Sequence, residues 1–495
     1  MLVLLFLFFL QSDKLAEAIR ALSEGRAVEA EQLLRPVAEN RPSAEVYDLL
    51  GIACDQQGKL VEAEKLFLKA LKLRPAYLNA RNNLGNNLLR QGRVQEALRQ
   101  FEAVVRMRPN HPEANYNLSL LYLQLGQRRK AQQHFRRLGE AADLQVLFLG
   151  LEIALATGDG IDSSLERIYR LDDRDGKVHF TAGLALARRG HYDRAVEAFK
   201  YTLERQKDVF EVHYNLGLAL YNLGKLEEAE AAFTTAAQLK PELAEVHYRL
   251  GLVLSALGDT EAAIEEFTHA VEREQKADYY FLLGDEYYKR NSLKAALENY
   301  EKAIALDSSK AAYHLKLGHV CFKLFKYSRA EEAYRRVAEL ADPSKVEVNY
   351  LIGYALRSQG KLAESIGYFE KQLELSGKHF ESLANLGYIK VELGEYEQAQ
   401  KYLEEALKVR RSPEVLYDLG RMYLKRREFA VAIDYLNQAL TLKPDYTQAR
   451  YQLFLAYSRA GRKDEAEREL AIFKKLEEED KRERDERERL QREGE

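Results

Sequence analysis

Residues 210–243, FEVHYNLGLALYNLGKLEEAEAAFTTAAQLKPEL, contain the pattern that decides the fold of this chain. A Leu-Gly pair ending at Gly217 is followed by a second glycine, Gly224, and then by the small Ala229 and the large Phe233. Apolar residues recur at the three- and four-residue spacing of an amphipathic helix on both sides of Gly224. Because glycine commonly ends a helix, the stretch predicts two helices joined by a tight turn.

The same pattern recurs along nearly all of the 495 residues. Successive positions equivalent to Gly217 lie 33 to 35 residues apart, with one interval of 31, at Gly51, Gly85, Ser119, Gly150, Gly183, Gly217, Gly251, Gly284, Gly318, Gly353, Gly387 and Gly420. Ala18 and Phe454 extend the series to 14 units. Glycine within a helix costs about 1 kcal/mol relative to alanine. Its recurrence therefore predicts that the two helices of each unit approach closely there.

These positions together resemble the tetratricopeptide repeat (TPR) family, whose 34-residue unit carries an aromatic residue, Leu-Gly, Tyr, Ala, Phe and Pro in that order. The resemblance is close from Val212 to Pro241 and covers roughly residues 11 to 476. It implies an all-α fold, an α-solenoid in which about 14 helix-turn-helix repeats stack into a right-handed superhelix. In this family the concave groove mainly binds peptides or other proteins.

The repeat pattern also sets the predicted boundaries. The repeats are TPR 1 at 12–43, TPR 2 at 44–77, TPR 3 at 78–111, TPR 4 at 112–142, TPR 5 at 143–175, TPR 6 at 176–209, TPR 7 at 210–243, TPR 8 at 244–276, TPR 9 at 277–310, TPR 10 at 311–345, TPR 11 at 346–379, TPR 12 at 380–412, TPR 13 at 413–446 and TPR 14 at 447–476. Repeats 1 and 5 are degenerate. Repeat 5 has Asp162 in place of the alanine, and we expect a hinge there between repeats 1–4 and 6–14. Residues 477–495 predict a charged helical tail.

Residues 1–11 form the one strongly apolar segment. The run MLVLLFLFFL is too short to span a bilayer core, which needs about 20 residues, so we predict no transmembrane helix. Its length suits a signal peptide, although no basic residue precedes it and no small-residue cleavage site follows it. We therefore favour an exported protein, periplasmic or secreted, over a cytoplasmic one. A hydrophobic end packed on repeat 1 and a misassigned start of the reading frame are the alternatives.

The composition excludes several classes of protein. With 46% hydrophobic and 31% charged residues and only 9 Pro, the chain is neither disordered nor collagen-like. Its 75 Lys and Arg nearly balance its 78 Asp and Glu, and a net charge of −3 predicts no nucleic-acid partner. Cys54 and Cys321 occupy the same position of repeats eight apart, which predicts buried thiols rather than a disulfide. The oligomeric state is left open.

The sequence contains no motif that predicts catalysis. It has no Gly-rich phosphate loop, no G-x-S-x-G, no H-E-x-x-H and no paired CxxC. Because repeats fill nearly the whole chain, we predict no enzymatic activity, no cofactor and no metal site. Equivalent atoms of adjacent repeats lie about 10 Å apart, too far for one zinc ion to bridge. We therefore expect contacts between repeats from the histidines in the fourth position of four repeats, His179, His213, His247 and His314.

Polar side chains at the positions that face the groove in TPR proteins form the candidate binding site. Asparagine offers both a donor and an acceptor, so a row of asparagines can pair with the backbone of an extended peptide. The candidate residues are Asn82, Asn83, Asn86, Tyr116, Asn117, Tyr214, Asn215, Tyr248, Arg249 and Asn385. Their interrupted row resembles the asparagine ladder in the repeat domain of O-linked N-acetylglucosamine transferases. Alternatively, Tyr-Asn-Leu-Gly only repeats the family consensus. The sequence favours a non-enzymatic scaffold with a protein or peptide ligand.

A second candidate surface is basic. Residues 78–140 contain 11 Lys or Arg against 4 Glu, a local charge of +7. The cluster in repeat 4 comprises Arg128, Arg129, Lys130, Arg136 and Arg137. It predicts a contact with an anionic polymer or complex, as in an envelope assembly or export factor. An ordinary solvated face is the alternative.

Overall fold

The computed structural model describes residues 14–139, 143–171, 174, 176–342 and 347–493, with side chains as far as Arg482. All regular secondary structure in these ranges is helical, as the predicted all-α solenoid class requires. The predicted signal segment at 1–11 lies outside the described residues. None of the described helices combines the length and the apolar character needed to cross a membrane.

Each predicted repeat contains two helices within the described residues. In chain order they are α1 (14–23), α2 (Ala27–Asn40), α3 (Ala44–Gln56), α4 (Leu60–Leu73), α5 (Leu78–Arg90), α6 (Val94–Met107), α7 (Pro112–Gln124), α8 (Arg128–Phe135), α9 (Leu144–Thr157), α10 (Ile161–Tyr169), α11 (Lys177–Arg188), α12 (Tyr192–Arg205), α13 (Phe210–Asn222), α14 (Leu226–Leu239), α15 (Ala244–Leu257), α16 (Thr260–Arg273), α17 (Ala277–Lys289), α18 (Leu293–Leu306), α19 (Ala311–Lys323), α20 (Tyr327–Leu340), α21 (Val348–Ser358), α22 (Leu362–Ser376), α23 (Phe380–Leu393), α24 (Tyr396–Val409), α25 (Pro413–Lys425), α26 (Phe429–Leu442), α27 (Thr447–Arg459) and α28 (Lys463–Glu493). A short 3-10 helix, Arg136–Leu138, follows α8.

The turn inside each repeat depends on a left-handed residue. Gly224 ends α13 with φ 73°, and Gly258 ends α15 with φ 86°. Repeat 10 has Phe325 in this position, at φ 59° and with 78% of its surface exposed. A bulky side chain disfavours this conformation, so the turn of repeat 10 is strained.

In repeats 2, 3 and 6 to 11 the first glycine leaves room for an aromatic ring of the second helix, and in repeats 12 and 13 it leaves room for a leucine. A Cβ at Gly217 would lie 2.9 Å from ring atoms of Phe233, and one at Gly251 would lie 2.7 Å from Phe267. Cβ atoms do not approach carbon that closely, so an alanine in these positions would displace the ring. The predicted close approach therefore occurs between the glycine and a ring sixteen residues later.

Repeats 4 and 5 break this arrangement together. Ser119 replaces the glycine of repeat 4, and its Oγ donates a hydrogen bond to the carbonyl oxygen of Asn115 at 2.7 Å. The ring of Phe135 lies instead against Gly150 of the next repeat, 2.5 Å from the position a Cβ would take. Repeat 5 has Glu166, not a large apolar residue, in the position equivalent to Phe135. One aromatic ring thus joins the two irregular repeats.

The chain divides into two compact units, Met1–Leu239 and Lys240–Glu495. In unit 1 a continuous apolar core runs from Ala18 to Ile153. In unit 2 one apolar cluster extends from Ala296 to Leu356 and another from Leu383 to Ala466. Within each unit the second helix of one repeat packs on the first helix of the next, as α4 does on α5 and α16 on α17.

Candidate peptide-binding cleft

Five of the predicted binding residues meet in one cleft of unit 1, which we call the asparagine cleft. It has a volume of about 690 Å³. Its residues are Asn82, Asn83 and Asn86 of α5, Pro112, Glu113, Tyr116 and Asn117 of α7, and also Leu138, Asp143, Gln145 and Val146. Residues 82, 83 and 86 share one face of α5 because helix positions three and four apart are neighbours.

The amides of the asparagine cleft are only partly used by the fold. The Nδ2 of Asn117 donates to the Oδ1 of Asn86 at 2.9 Å, across the gap between α7 and α5. The Nδ2 of Asn83 donates to the Oδ1 of Asp48 at 2.9 Å. In the part of the chain that the structure describes, Asn86 Nδ2, Asn83 Oδ1 and Asn117 Oδ1 have no hydrogen-bond partner. The cleft therefore presents both donors and acceptors.

Asn82 carries the clearest sign of a missing partner. Its side chain is 7% exposed, and its Oδ1 is buried without a hydrogen bond from any described residue. Leaving a buried acceptor unpaired costs about 1–3 kcal/mol.

Asp48 supports the cleft and is absent from the sequence-based set. It is 3% exposed, and burial raises the pKa of its carboxyl to about 6, although hydrogen bonds from Asn83 and Tyr77 act in the opposite direction. Asp48 lies 34 residues before Asn82, in the same position of repeat 2. Extending the polar series by one repeat would have found it.

The other five predicted binding residues do not line this cleft. Asn215 donates to the carbonyl oxygen of Glu211 on its own helix at 2.7 Å, and Tyr214 of the same helix packs near Phe210 and Phe233. In unit 2, Arg249 donates to the Glu245 carboxylate at 2.8 Å and lies near the ring of Tyr248. Asn385 lines a separate cleft of unit 2.

The histidine series has a structural role at the turns between repeats. The Nε2 atoms of His213, His247 and His314 lie 2.6–3.0 Å from the carbonyl oxygen six residues earlier, that of Lys207, Pro241 or Ser308. Arg81, Asn115 and Arg450 occupy the same position of their repeats and donate to the same carbonyl. His179 stacks instead between Tyr169 and Tyr201, with ring centroids 4.0 and 3.5 Å away. Each ring thus contacts a neighbouring turn or helix, as a side chain between repeats would.

One cluster has the composition of a metal site. Ligand atoms of Glu31, Cys54 and Glu62 lie within 4.8 Å of one another. The Glu31 carboxylate, however, already accepts hydrogen bonds from Arg35, Gln57 and Lys59. Burial raises the pKa of the Cys54 thiol to about 11, which disfavours the thiolate that a metal requires. This cluster is therefore better explained as an ion-pair network.

The basic cluster of repeat 4 lies on α8 and on the 3-10 helix after it. Within the described residues no carboxylate lies within 4.0 Å of the charged groups of Arg128, Arg129, Lys130, Arg136 or Arg137. Lys130 lies over the ring of Tyr122, 5.0 Å from its centroid. Many other arginines of the chain are ion-paired, which makes this surface unusual.

Comparison with known proteins identifies the repeat. Family models described as Tetratricopeptide repeat or TPR repeat match residues 44–77, 88–149, 180–244, 244–276, 284–324, 311–343, 345–412, 385–447 and 423–480. Together these ranges cover most of the chain.

Individual relatives match only parts of the chain. The TPR repeat-containing protein MJ1428 of Methanocaldococcus jannaschii is 29% identical over 153 residues, 30% of this chain and 27% of that protein. The type IV pilus assembly protein PilF of Pseudomonas aeruginosa is 27% identical over 169 residues, 33% of this chain and 66% of PilF. The chain thus spans less than two thirds of either relative. The crystal structure of YrrB, a TPR protein with an unusual peptide-binding site, is 21% identical with a TM-score of 0.36, over 38% of this chain and 97% of YrrB.

Proposed function

Because this chain belongs to the tetratricopeptide repeat family, whose members generally mediate protein-protein interactions, we propose that it is a non-enzymatic scaffold that binds an extended segment of another protein in the asparagine cleft. The observation that carries this proposal is the set of amide groups without partners in the asparagine cleft, those of Asn83, Asn86 and Asn117.

The remaining amide groups favour a peptide backbone as the ligand. An extended chain presents N–H and C=O groups on each side, with a rise of about 3.3 Å per residue. Asn86 Nδ2 offers a donor to a carbonyl, and the oxygens of Asn83 and Asn117 offer acceptors to N–H groups. These hydrogen bonds bind the main chain of the ligand, so they do not select particular ligand side chains. Specificity would then come from the apolar wall at Leu138 and Val146.

The test begins by selecting peptides from a random 12-residue display library on the full-length protein. We expect the selected peptides to bind the native chain, and the double variant Asn86→Ala/Asn117→Ala to weaken them by about tenfold or more, as loss of paired hydrogen bonds predicts. Binding is measured by fluorescence anisotropy of labelled peptides. Circular dichroism checks that the variant is folded.

Asn222→Ala is the matched control, because Asn222 is exposed and its Nδ2 donates only to the carbonyl of Leu218 on its own helix. This variant should bind selected peptides as the native chain does. Equal affinity of the native chain and the double variant for every selected peptide would remove the asparagine cleft from the proposed function.

A second candidate function rests on the unpaired basic cluster of repeat 4. In this alternative the chain is an envelope assembly or export factor that contacts an anionic polymer or complex, and the similarity to a pilus assembly protein is in keeping with it. Heparin serves as the probe. Charge-reversing Arg128, Arg129 and Lys130 to Glu should abolish heparin binding, and native binding should weaken steeply between about 50 and 200 mM salt. Binding independent of salt would contradict this alternative.

A further inference from the structure

The turns inside repeats 9, 10 and 11 of unit 2 are basic. Residues 289–294, 323–329 and 357–361 contain three, three and two Lys or Arg and no Asp or Glu. The equivalent turns on either side, 256–261 of repeat 8 and 392–397 of repeat 12, contain acidic residues and no Lys or Arg. Positive charge is therefore concentrated on three consecutive turns, which we call the basic edge.

Contacts from the turn of repeat 10 connect it to the turns on both sides. The Nζ of Lys323 lies 4.3 Å from the centroid of the Tyr288 ring, which belongs to repeat 9. The Oγ of Ser328 donates a hydrogen bond to the Oε1 of Gln359 of repeat 11 at 3.1 Å. The basic edge is thus one continuous surface.

Three lysines of the basic edge have no ion pair. Lys294, Lys323 and Lys326 are exposed, and among the described residues no carboxylate oxygen lies within 4.0 Å of their Nζ atoms. Other cations of the edge do form ion pairs, Lys289 with Glu286, Arg290 with Glu261, Arg329 with Glu301 and Lys361 with Glu331. The uncompensated charge therefore includes these three exposed ammonium groups.

Phe325 protrudes from the middle turn of the basic edge. It is 78% exposed, and no large apolar side chain that the structure describes is more exposed. Its φ is 59°, whereas the neighbouring turns have Asn291 and Gly360 in the same position, and both of these residue types suit a positive φ better. Phe325 thus strains the backbone while most of its ring stays in water. Contact of the ring with an apolar phase outside the chain would stabilise this arrangement.

We propose that the basic edge binds an anionic lipid bilayer, with the Phe325 ring inserted among the headgroups and the lysines beside it on the lipid phosphates. Binding at a membrane surface combines burial of apolar side chains with attraction of cations to anionic lipid. Lysine stems let the ammonium groups stay at the level of the headgroups while the ring lies deeper.

A protein partner fits this surface less well. Protein interfaces are enriched in Arg and depleted in Lys, and their energy comes from clustered, buried anchors. The basic edge has one exposed ring, Phe325, and unpaired lysines around it. This surface lies in unit 2 and does not depend on the asparagine cleft, which lies in unit 1.

The first experiment uses tryptophan fluorescence, because the chain contains no Trp and a single introduced one reports on its own position. Full-length Phe325→Trp is mixed with vesicles of phosphatidylcholine and phosphatidylglycerol in equal amounts. We expect its emission to shift to the blue and to be quenched by brominated lipid. Leu393→Trp is the matched control, since Leu393 is 47% exposed in the acidic turn of repeat 12. Its emission should not change.

Co-sedimentation with the same vesicles measures affinity. Phe325→Gly should weaken binding by about tenfold or more, as loss of one buried aromatic side chain predicts. Glycine suits the positive φ, so this variant should be at least as stable as the native chain by circular dichroism.

The charge is tested separately. Lys294→Glu/Lys326→Glu should also weaken vesicle binding by about tenfold or more, and native binding should weaken as the salt concentration rises. The control Lys378→Glu/Lys443→Glu makes the same change in net charge at exposed lysines in turns between repeats. It should keep most of the native affinity.

Unchanged emission of Phe325→Trp with vesicles, or equal vesicle binding by Phe325→Gly and the native chain, would overturn the proposal. Equal binding to vesicles of phosphatidylcholine alone would overturn the role of the lysines. Polyglutamate is the probe for an acidic protein, and a blue shift of Phe325→Trp with polyglutamate but not with vesicles would assign the edge to such a partner instead. Asn86→Ala/Asn117→Ala should bind vesicles as the native chain does, which separates this test from that of peptide binding.

Discussion

At the scale of single residues, repeat 11 contains one glycine that packing requires and another that backbone conformation requires. Gly353 of α21 lies under the ring of Phe369, 2.9 Å from the position of a Cβ. Gly360 ends the same helix at φ 80°. Glycine has a lower helix propensity than the residues that could stand at these two positions. The packing of the Phe369 ring and the formation of the turn offset that loss of stability. A third glycine of the same repeat, Gly367 in α22, has no atom within 4 Å of a Cβ.

The first prediction compares two glycines of repeat 11. Gly353→Ala should destabilise the repeat by about 1–3 kcal/mol, because overpacking against Phe369 outweighs the gain in helix propensity. Gly367→Ala should stabilise it by about 1 kcal/mol, since only propensity changes. Urea unfolding followed by circular dichroism measures both. Destabilisation by both substitutions would contradict the ring-over-glycine explanation.

The second prediction concerns Glu31, which is buried among cations in unit 1. Burial alone would raise its pKa, but hydrogen bonds from Lys59, Arg35 and Gln57 lower it to about 2. A carboxyl whose pKa is lower in the folded state stabilises the fold above its ordinary pKa, and that stability is lost as the pH falls from about 4.5 to about 2. Glu31→Gln should therefore cost about 2–3 kcal/mol at pH 7 and much less near pH 2.

Urea midpoints of the native chain and Glu31→Gln, measured from pH 7 to pH 2.5, check this prediction. Glu29→Gln on the same helix is the control, because Glu29 is only partly buried and pairs with Arg26 at the surface, so its loss should change stability by no more than about 0.5 kcal/mol. A stability difference for Glu31→Gln that is the same at every pH would show that the carboxylate charge is not responsible.

At the scale of elements, repeat 5 has the weakest support. Its second helix, α10, has nine residues, Ile161–Tyr169, against fourteen in most second helices. Glu166 occupies the position of the large apolar residue, and the continuous core of unit 1 ends at Ile153. Gly150 is packed by Phe135 from the preceding repeat. Repeat 5 thus depends on repeat 4 for an interaction that other repeats provide themselves.

The third prediction follows from this dependence. Amide hydrogen exchange should show residues 143–176 less protected than repeats 7 and 8, because fewer apolar contacts resist local opening. Phe135→Ala should lower protection in α9 as well as in α8, although Phe135 belongs to repeat 4. If repeat 5 is as well protected as repeats 7 and 8, it is not less stable than they are, and the predicted hinge is contradicted as well.

At the scale of the whole molecule, each repeat is stabilised by its neighbours. In such arrays stability is approximately a sum of repeat terms and nearest-neighbour interface terms. The separate apolar clusters of unit 2 agree with this description. A local defect should therefore remain local.

The fourth prediction tests that locality. Gly353→Ala should lower hydrogen-exchange protection in repeats 10 to 12 and leave repeats 2 and 3 unchanged, since among the described residues their apolar clusters have no member in common. Mass spectrometry of peptic fragments resolves the two regions. An equal loss of protection throughout the chain would instead show that the whole array opens as one unit.

The repeat, its helices and its turns can be predicted from the amino-acid sequence, because they depend on spacing within about 34 residues. Gly217, Gly224 and Phe233 predict the hairpin of repeat 7, and the same positions predict it elsewhere. The sequence also predicted the asparagines that line the cleft. It did not show that the Oδ1 of Asn82 is buried without a partner among the described residues, whereas the Nδ2 of Asn215 donates to a carbonyl of its own helix.

Which polar groups remain without partners cannot be predicted from spacing, because it depends on contacts with residues of other repeats. Asp48 lies 35 residues before Asn83 and meets it only when the hairpins stack. Phe135 packs on Gly150 because Ser119 fills the usual place of the glycine. Periodicity within the chain fixes the helices, whereas contacts between repeats determine which side chains are left to bind a ligand.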